Sequence, residues 1–536
     1  MLLFKKLGIA GGSLFTFGII IGYAFFPPFL HSQIKKGIQL VEGSDMRDMW
    51  TVVPFPVDFR IYLFNVTNAN EIQGGAKPIV KEVGPFFYDE WKEKVDLVDR
   101  EEDDTVEYCN KATFIFNQAK SAPGLTEDVV LVYPHAMILG MILATVREKP
   151  AMVGLAAKAV DSIFHKPSSV FVTATAREIL WTGLPVDCSV KDFAGSAVCG
   201  IIREDDSGFI KDGENYKFAL FGPVSLNIFL SIINKNGTVV PDRIRVKRGK
   251  ANYLEVGIVT EFKGLPKLTN WPEDGDCNTF NGTDSTIFHP FLYQDEDVVS
   301  FAPDLCRSLG ARYQRPSKFK GLKTNRYTAN LGDMSTDPAL KCFCPTPDTC
   351  LGKGLYDIFA CVKAPIVCSL PHFYDTDPQY LTQVEGLHPN EEEHQIFIDF
   401  EPMLGAPLSA RKRLQFNMFI FPVEKFKLMK NFPSALMPLF WVEEGLELAD
   451  EYMKPIKLVF TMLKVVGIMK WIMMTAGVGL GGGAGFLFYK STKSPQKLDI
   501  TKVSPKTIQN TAGDEKKWPT SVSTIQGNNA PPSVEA

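Results

Sequence analysis

Two uncharged stretches near opposite ends of the chain constrain its fold more than any other feature. Leu7 to Phe26, LGIAGGSLFTFGIIIGYAFF, is twenty residues without a charge and is followed by Pro27-Pro28. Trp471 to Tyr489, WIMMTAGVGLGGGAGFLFY, is nineteen, and its apolar character reaches back toward Leu458. About 20 apolar residues cross the ~30 Å core of a bilayer, so each stretch predicts a membrane-spanning helix. A cleaved signal peptide has a shorter apolar core and ends in a small-residue cleavage site. Phe25-Phe26-Pro27-Pro28 is not such a site.

Charge and covalent markers then give a sidedness. The net charge is −4; residues 1–6 carry +2, residues 490–536 carry +3, and Lys464 with Lys470 add +2, which leaves −11 for residues 7–457. Basic ends around an acidic middle fit cytoplasmic termini, although Lys35, Lys36, Lys464 and Lys470 flank the outer ends of the spans. The ten cysteines and the three N-x-[ST] sequons, at Asn65, Asn236 and Asn281, all lie between the spans. Disulfides and N-glycans belong to the secretory lumen. The predicted order is a cytoplasmic N-terminus (1–6), a first span (7–29), an extracellular ectodomain (30–457), a second span (458–489) and a disordered cytoplasmic tail (490–536).

Several patterns have bland explanations that outweigh their sharp ones. Gly477-Val-Gly479-Leu-Gly-Gly482 fits a dinucleotide fingerprint, but that motif needs a strand before it and a soluble helix after it. Small-xxx-small helix packing through Gly477/Gly481/Gly485, Gly8/Gly12 and Gly18/Gly22 suits a membrane span better. The basic run Arg243 to Lys250 reads as a solvated strand face, and nucleic-acid binding is not expected. Glu391-Glu-Glu-His394 reads as a solvated or capping segment before it reads as a cation seat. Cys342, Cys344 and Cys350 have spacing that could hold a metal, but in an oxidising compartment disulfides are the expected fate. The six cysteines between 277 and 361 leave fifteen pairings open. No metalloprotease, serine-hydrolase or P-loop motif occurs, so neither an enzyme nor a cofactor is expected.

Residues 50–125 and 215–300 alternate apolar and polar residues between turn formers, as in 59–67, 113–117 and 253–262, which predicts strands. Residues 134–182 differ. Ala136–Ala144 and Met152–Phe164 are rich in helix formers, and Thr175–Trp181 predicts a third short helix. The fold class is therefore mainly β with a helical insert. The stretch 136–146 is too short to span a bilayer and too apolar for a solvated helix, so burial is expected.

A set of ordered motifs carries a more specific signal. Glu82-Val-Gly-Pro-Phe86, Arg177-Glu-Ile-Leu-Trp181, Gly275-Asp-Cys277-Asn-Thr-Phe-Asn281, Asp304-Leu-Cys306-Arg-Ser308 and Cys342-Phe-Cys344 come first. Ser369-Leu-Pro-His-Phe-Tyr374, His388-Pro-Asn-Glu-Glu-Glu-His394 and Ala410-Arg-Lys-Arg-Leu-Gln-Phe-Asn417 follow. Together they resemble the CD36, or class B scavenger-receptor, family along residues 1–490. Residues 87–94, 307–311 and 440–445 are similar to its insect branch, the sensory neuron membrane proteins, and to the first of that branch's two main types.

The resemblance implies an irregular antiparallel β-barrel with an apical helical bundle and an internal hydrophobic tunnel leading toward the bilayer. It implies disulfides Cys277–Cys342, Cys306–Cys361 and Cys344–Cys350. Cys109, Cys188, Cys199 and Cys368 fall outside that pattern, with Cys188 and Cys199 free to pair with each other. A lysine near the apical helices that docks acidic headgroups in some relatives corresponds to Lys166, with Lys158 a neighbour able to serve. The implied function is capture of lipophilic, fatty-acid-derived pheromones and their delivery to an odorant receptor in the same membrane, with odorant-binding proteins as further partners. The implied location is the plasma membrane of olfactory sensory neurons. A general scavenger, lipid-uptake or lipoprotein receptor is the alternative, and an ectoenzyme a distant one.

Overall fold

The computed structural model describes residues 3–204, 209–221, 237–272, 276–346 and 349–493. The chain enters through a helix that runs from Leu3 to Gly37, with a π-helical stretch at Ile20–Phe25. Pro27 and Pro28 do not end it. They occupy the first turn of the segment Phe26–Gly37, where a missing N–H is least costly. The chain leaves through a single helix, Asp450–Lys493. Both helices are long and apolar enough to cross a membrane. The expected tail beyond residue 493 lies outside the described residues.

The end segments of these helices form one compact unit, and Gly18–Trp471 forms another. Within the first, the helices meet at Gly11 and Gly477. A Cβ on Gly11 would lie 2.8 Å from the Gly477 carbonyl oxygen, and one on Gly477 would lie 2.8 Å from that of Gly11. Backbones approach this closely only where side chains are absent. A Cβ on Gly11 would also lie 2.8 Å from Gly481 N, so Gly477 and Gly481 both line the contact; Gly8 meets Ala484, but Gly12 and Gly485 face open space.

The large unit is built on one antiparallel sheet. Its main strands are β1 (Val57–Val66), β2 (Val80–Arg100), β3 (Thr105–Phe116), β4 (Ile244–Lys247) and β5 (Val259–Phe262). They continue as β6 (Val298–Ala302), β7 (Arg307–Phe319), β8 (Leu322–Ala329), β9 (Ile396–Glu401), β10 (Ala406–Ile420) and β11 (Ala435–Glu447). The spatial order is 5-4-3-2-1-11-10-9-8-7-6, so two meanders meet where the first strand pairs with the last. The outer strands are bridged by one short segment. Val259 N donates to Gly282 O, Thr283 N to Val299 O, and Phe301 N to Thr283 O. Gly282 sits at φ +80, and a Cβ there would lie 2.0 Å from the Val299 oxygen. That contact makes glycine necessary in the seam that nearly closes the barrel.

Between β3 and β4 the chain leaves the sheet to form the insert. Val130–Pro134 pairs with Phe171–Thr175, and helices Ala136–Glu148 and Val153–Ile163 lie between them. The third expected helix is a five-residue π turn, Glu178–Thr182. The apolar face of Ala136–Glu148 is buried, as its composition requires. Its N-terminus is capped by His135, whose Nδ1 accepts from Ile138 N. Burial pushes this imidazole down to about 4, which keeps it neutral and able to accept.

The expectation of a strand through 253–262 holds only for Val259–Phe262. Tyr253–Glu255 is a 3₁₀ turn, because the Asn252 side chain accepts from Leu254 N and competes with the ladder. The basic run is not a solvated face. Arg248 is 2% exposed and pairs with Glu101 at 2.6 Å, Asp104 at 3.2 Å and Asp99 at 3.3 Å. Arg245 lies between Glu107 and Glu261. Disulfides join Cys188 to Cys199, Cys277 to Cys342, Cys306 to Cys361 and Cys344 to Cys350. Cys109 and Cys368 are buried thiols.

Candidate ligand-binding site

Residues directly opposite in an antiparallel sheet share a face. Phe59 lies opposite Tyr88 on β2 and Glu444 on β11. Ile61 lies opposite Phe86 and Val442, and Leu63 lies opposite Phe440, which in turn faces Phe416 on β10. Strands two apart in a flat sheet stand roughly 9–10 Å from each other. The rings of Phe59 on β1 and Phe114 on β3 nevertheless meet at 5.0 Å across the intervening β2, which makes this the concave face.

A line of ring contacts crosses that face. It runs from Phe59 to Phe114, then to Trp181 at 5.9 Å, Phe221 at 5.6 Å, Phe440 at 5.5 Å and Phe416 at 4.8 Å. Trp181 comes from the π turn of the helical insert, so the insert is joined to the barrel wall by an unbroken aromatic path. Its indole N–H donates to the Tyr88 hydroxyl at 2.7 Å, and Tyr88 donates to Glu127 at 2.8 Å. The five phenylalanines of this line are buried, so it is packed apolar core in which the Trp181–Tyr88–Glu127 bonds supply polar contacts.

Lys166 lies on the surface of the insert, just past the helix Val153–Ile163. His165 and Lys166 both have positive φ, at 56° and 54°, and Lys166 N donates to Asp161 O. His165 faces Asp187 at 3.2 Å. Among the described residues the Lys166 ammonium makes no ion pair, and Lys158 is also exposed, on the helix itself.

The convex face carries a closed polar cluster. The His372 Nδ1 accepts from His388 N, which leaves its Nε2 to donate to Glu82 at 2.6 Å. The Trp441 indole donates to the same carboxylate oxygen at 2.6 Å. His394 stacks on His372 at 4.5 Å and accepts from Asn390 N, while Tyr62 stacks on Trp441 at 3.7 Å. Burial works to raise the Glu82 carboxyl, but the bonds from His372 and Trp441 outweigh it and hold it below its usual range. Burial, with His372 beside it, pushes His394 down to about 3. Glu391–His394 is thus a capped turn, with Asn390 accepting from Glu392 N and Glu393 N. Among the described residues no group of His, Cys, Asp and Glu is arranged to hold a metal.

The sequons differ in their surroundings. Asn281 is exposed. The Asn65 side chain is half-buried on β1, and its oxygen accepts from Val132 N at 2.8 Å. Asn236 lies outside the described residues. Sequence reasoning missed Phe221, Phe416 and Phe440 as parts of one surface. The available signal was strand alternation, which marks inward positions once a register is known.

The chain matches the CD36 family over residues 9–488. It is 56% identical over 535 residues to sensory neuron membrane protein 1 of Apis mellifera, covering 99% of each chain. It is 41% identical over 539 residues to the protein of the same name from Ostrinia furnacalis, covering 99% of this chain and 98% of the relative. With that of Mamestra brassicae it shares 43% over 495 residues, or 91% of each.

Proposed function

The chain belongs to the CD36 family, and from that premise we propose that it captures fatty-acid-derived pheromones at the helical insert and conducts them along the barrel interior toward the membrane. The observation that supports this reading best is the aromatic path from Trp181 to Phe416, which links the insert to the concave wall. Burying a chain of ~12–16 carbons gains about 0.8 kcal/mol per CH₂, and release into a bilayer of similar apolarity then costs little. Lys166 and Lys158 supply exposed charge for first contact with acidic headgroups. An odorant receptor in the same dendritic membrane takes the delivered ligand, with odorant-binding proteins upstream. Both termini are cytoplasmic, and Asn281 carries a glycan.

The test places a plug on the inward-facing side of β3, at Ala112, which lies opposite Lys92. In cells that co-express an odorant receptor, Ala112→Trp should abolish ligand-evoked currents for acids, esters and alcohols alike, while Ala112→Ser leaves them intact. Undiminished currents from surface-delivered Ala112→Trp would sink the conduit. An antibody to residues 500–536 should label only permeabilised cells.

A further inference from the structure

The underside of the large unit meets both membrane helices just outside their apolar runs. Phe291 packs on His31 with ring centres 4.6 Å apart, and Lys35 Nζ lies 4.4 Å over the Tyr253 ring. By helical rise these contacts fall ~8–14 Å past Phe26, the last residue of the first apolar run. On the second helix, Lys320 in the turn between β7 and β8 donates to Leu448 O at 2.9 Å and pairs with Asp450 at 3.2 Å. That point lies ~12 Å before Leu458, so a similar level is reached from both helices. The headgroup layer of a bilayer is roughly 5–8 Å deep on each side of the ~30 Å core, and side chains projecting from this underside reach it.

Two features of the underside are unexplained by the fold. One is apolar: Leu254 is 45% and Tyr293 69% exposed, on the loops that carry Tyr253 and Phe291. The other is charge. Between Asp304 and Asp333 the chain has seven Lys and Arg residues and no acid, in an ectodomain that is acidic as a whole. Arg307 is buried, and Arg312, Lys320 and Arg326 pair with Asp297, Asp450 and Asp399. Among the described residues Arg315, Lys318 and Lys323 are exposed and make no hydrogen bond or ion pair. Lys318 and Lys323 stand directly opposite each other beside the turn, where like charges repel. The turn is tight, with positive φ at Lys320 and Gly321, and it puts Phe319 and Leu322 at the tip.

We propose that this underside is a seat for the bilayer surface, in which phospholipid phosphates neutralise Lys318 and Lys323 while Leu254, Tyr293 and the hairpin tip enter the interface. A phosphate between the two lysines removes their mutual repulsion, and basic clusters beside a span are drawn to anionic lipid surfaces. Tyrosine is among the residues that a membrane–water interface favours. The seat lies on the outside of the barrel and holds the large unit against the leaflet, whatever the chain carries.

The test uses the full chain in nanodiscs of phosphatidylcholine and phosphatidylserine. A nitroxide is placed at Leu254→Cys, at Phe319→Cys or, on the helical insert, at Phe193→Cys. Phe193 is 78% exposed, and the buried thiols of Cys109 and Cys368 do not compete for the label. Collision with oxygen, which enters lipid, is compared with collision with a water-soluble nickel chelate. The oxygen-to-nickel ratio should be about threefold or more higher at 254 and 319 than at 193. Lys318→Gln combined with Lys323→Gln should cut the ratio at 319 by about twofold and leave that at 254 unchanged. A ratio at 254 or 319 equal to that at 193 overturns the seat and leaves the lysines to an acidic protein partner. A ratio at 319 that the double substitution does not move overturns it as well.

Discussion

The polar cluster on the convex face and the charged residues Glu90, Lys92, Lys412 and Glu444 on the concave face both take a carboxylate from β2 and a side chain from β11, but they are finished differently. Around Glu82, His372 and Trp441 share one carboxylate oxygen, and backbone N–H groups from 388 and 390 fill the imidazole acceptors. Around Lys412, among the described residues, the ammonium acts on Glu444 only through space and one oxygen of Glu90 is buried without a hydrogen-bond partner. A fully satisfied buried network rigidifies a fold, whereas an unsatisfied one is costly unless something completes it. The contrast separates a cluster whose donors find acceptors within the fold from one that leaves a carboxylate oxygen over.

The largest difference between the two regions should come from Glu82→Ala. It leaves the His372 and Trp441 donors without an acceptor and should cost about 1–3 kcal/mol for each of them, read as a large drop in the thermal midpoint of the full chain. A loss comparable to that of a surface variant would show that the cluster does not hold the fold.

Acidification sets the two regions against each other. His394 is held at about 3 against 6.5 when free, so the unfolded chain binds more protons between those values and stability falls as pH drops. Glu90 is raised from 4.5 to about 7, so its contribution is full at low pH and is lost as pH rises through that window. Between about pH 7 and pH 5 the two slopes oppose each other, at about 2 kcal/mol each. Glu90→Gln should therefore make acidification over that range more destabilising than in the unmodified chain, by about 2 kcal/mol. Equal losses in both would remove Glu90 from the account.

Two further variants should have smaller effects. Tyr62→Leu removes the ring stacked on Trp441 and should cost about 1 kcal/mol beyond lost area, measured by denaturant unfolding. Lys412→Gln should change stability by less than about 0.5 kcal/mol, as for an exposed charge that acts on Glu444 without a direct ion pair. A larger loss would mean that Lys412 is structural.

Much of the architecture was legible in the sequence because it depends on local composition. The spans follow from length and the lack of charge, and the helices at 136–148 and 153–163 follow from runs of helix formers. What escaped depends on partners far away in the chain. The Arg243–Lys250 run reads as solvated from sequence alone because its acids, Asp99, Glu101, Asp104 and Glu107, belong to the β2–β3 hairpin. The membrane glycines fit a spacing rule, but the contact at Gly11 depends on which face of each helix meets the other. Glu82, His372 and His394 each sit in a recognisable motif, yet their convergence on Trp441 needs a register that no local pattern contains.

The pairing of β1 with β11 has a consequence for biosynthesis. Asp58 meets Gly445 and Leu63 meets Phe440, so partners lie about 380 residues apart in the chain. At ~5–20 residues per second, β1 waits tens of seconds for its neighbour. During that interval β1 to β5 can assemble with β1 as a bare edge and Phe59 and Ile61 facing water, a surface open to pairing with other chains. The yield of folded protein should then depend on how quickly the ribosome crosses the interval from 66 to 435, and on how well chaperones cover that edge meanwhile.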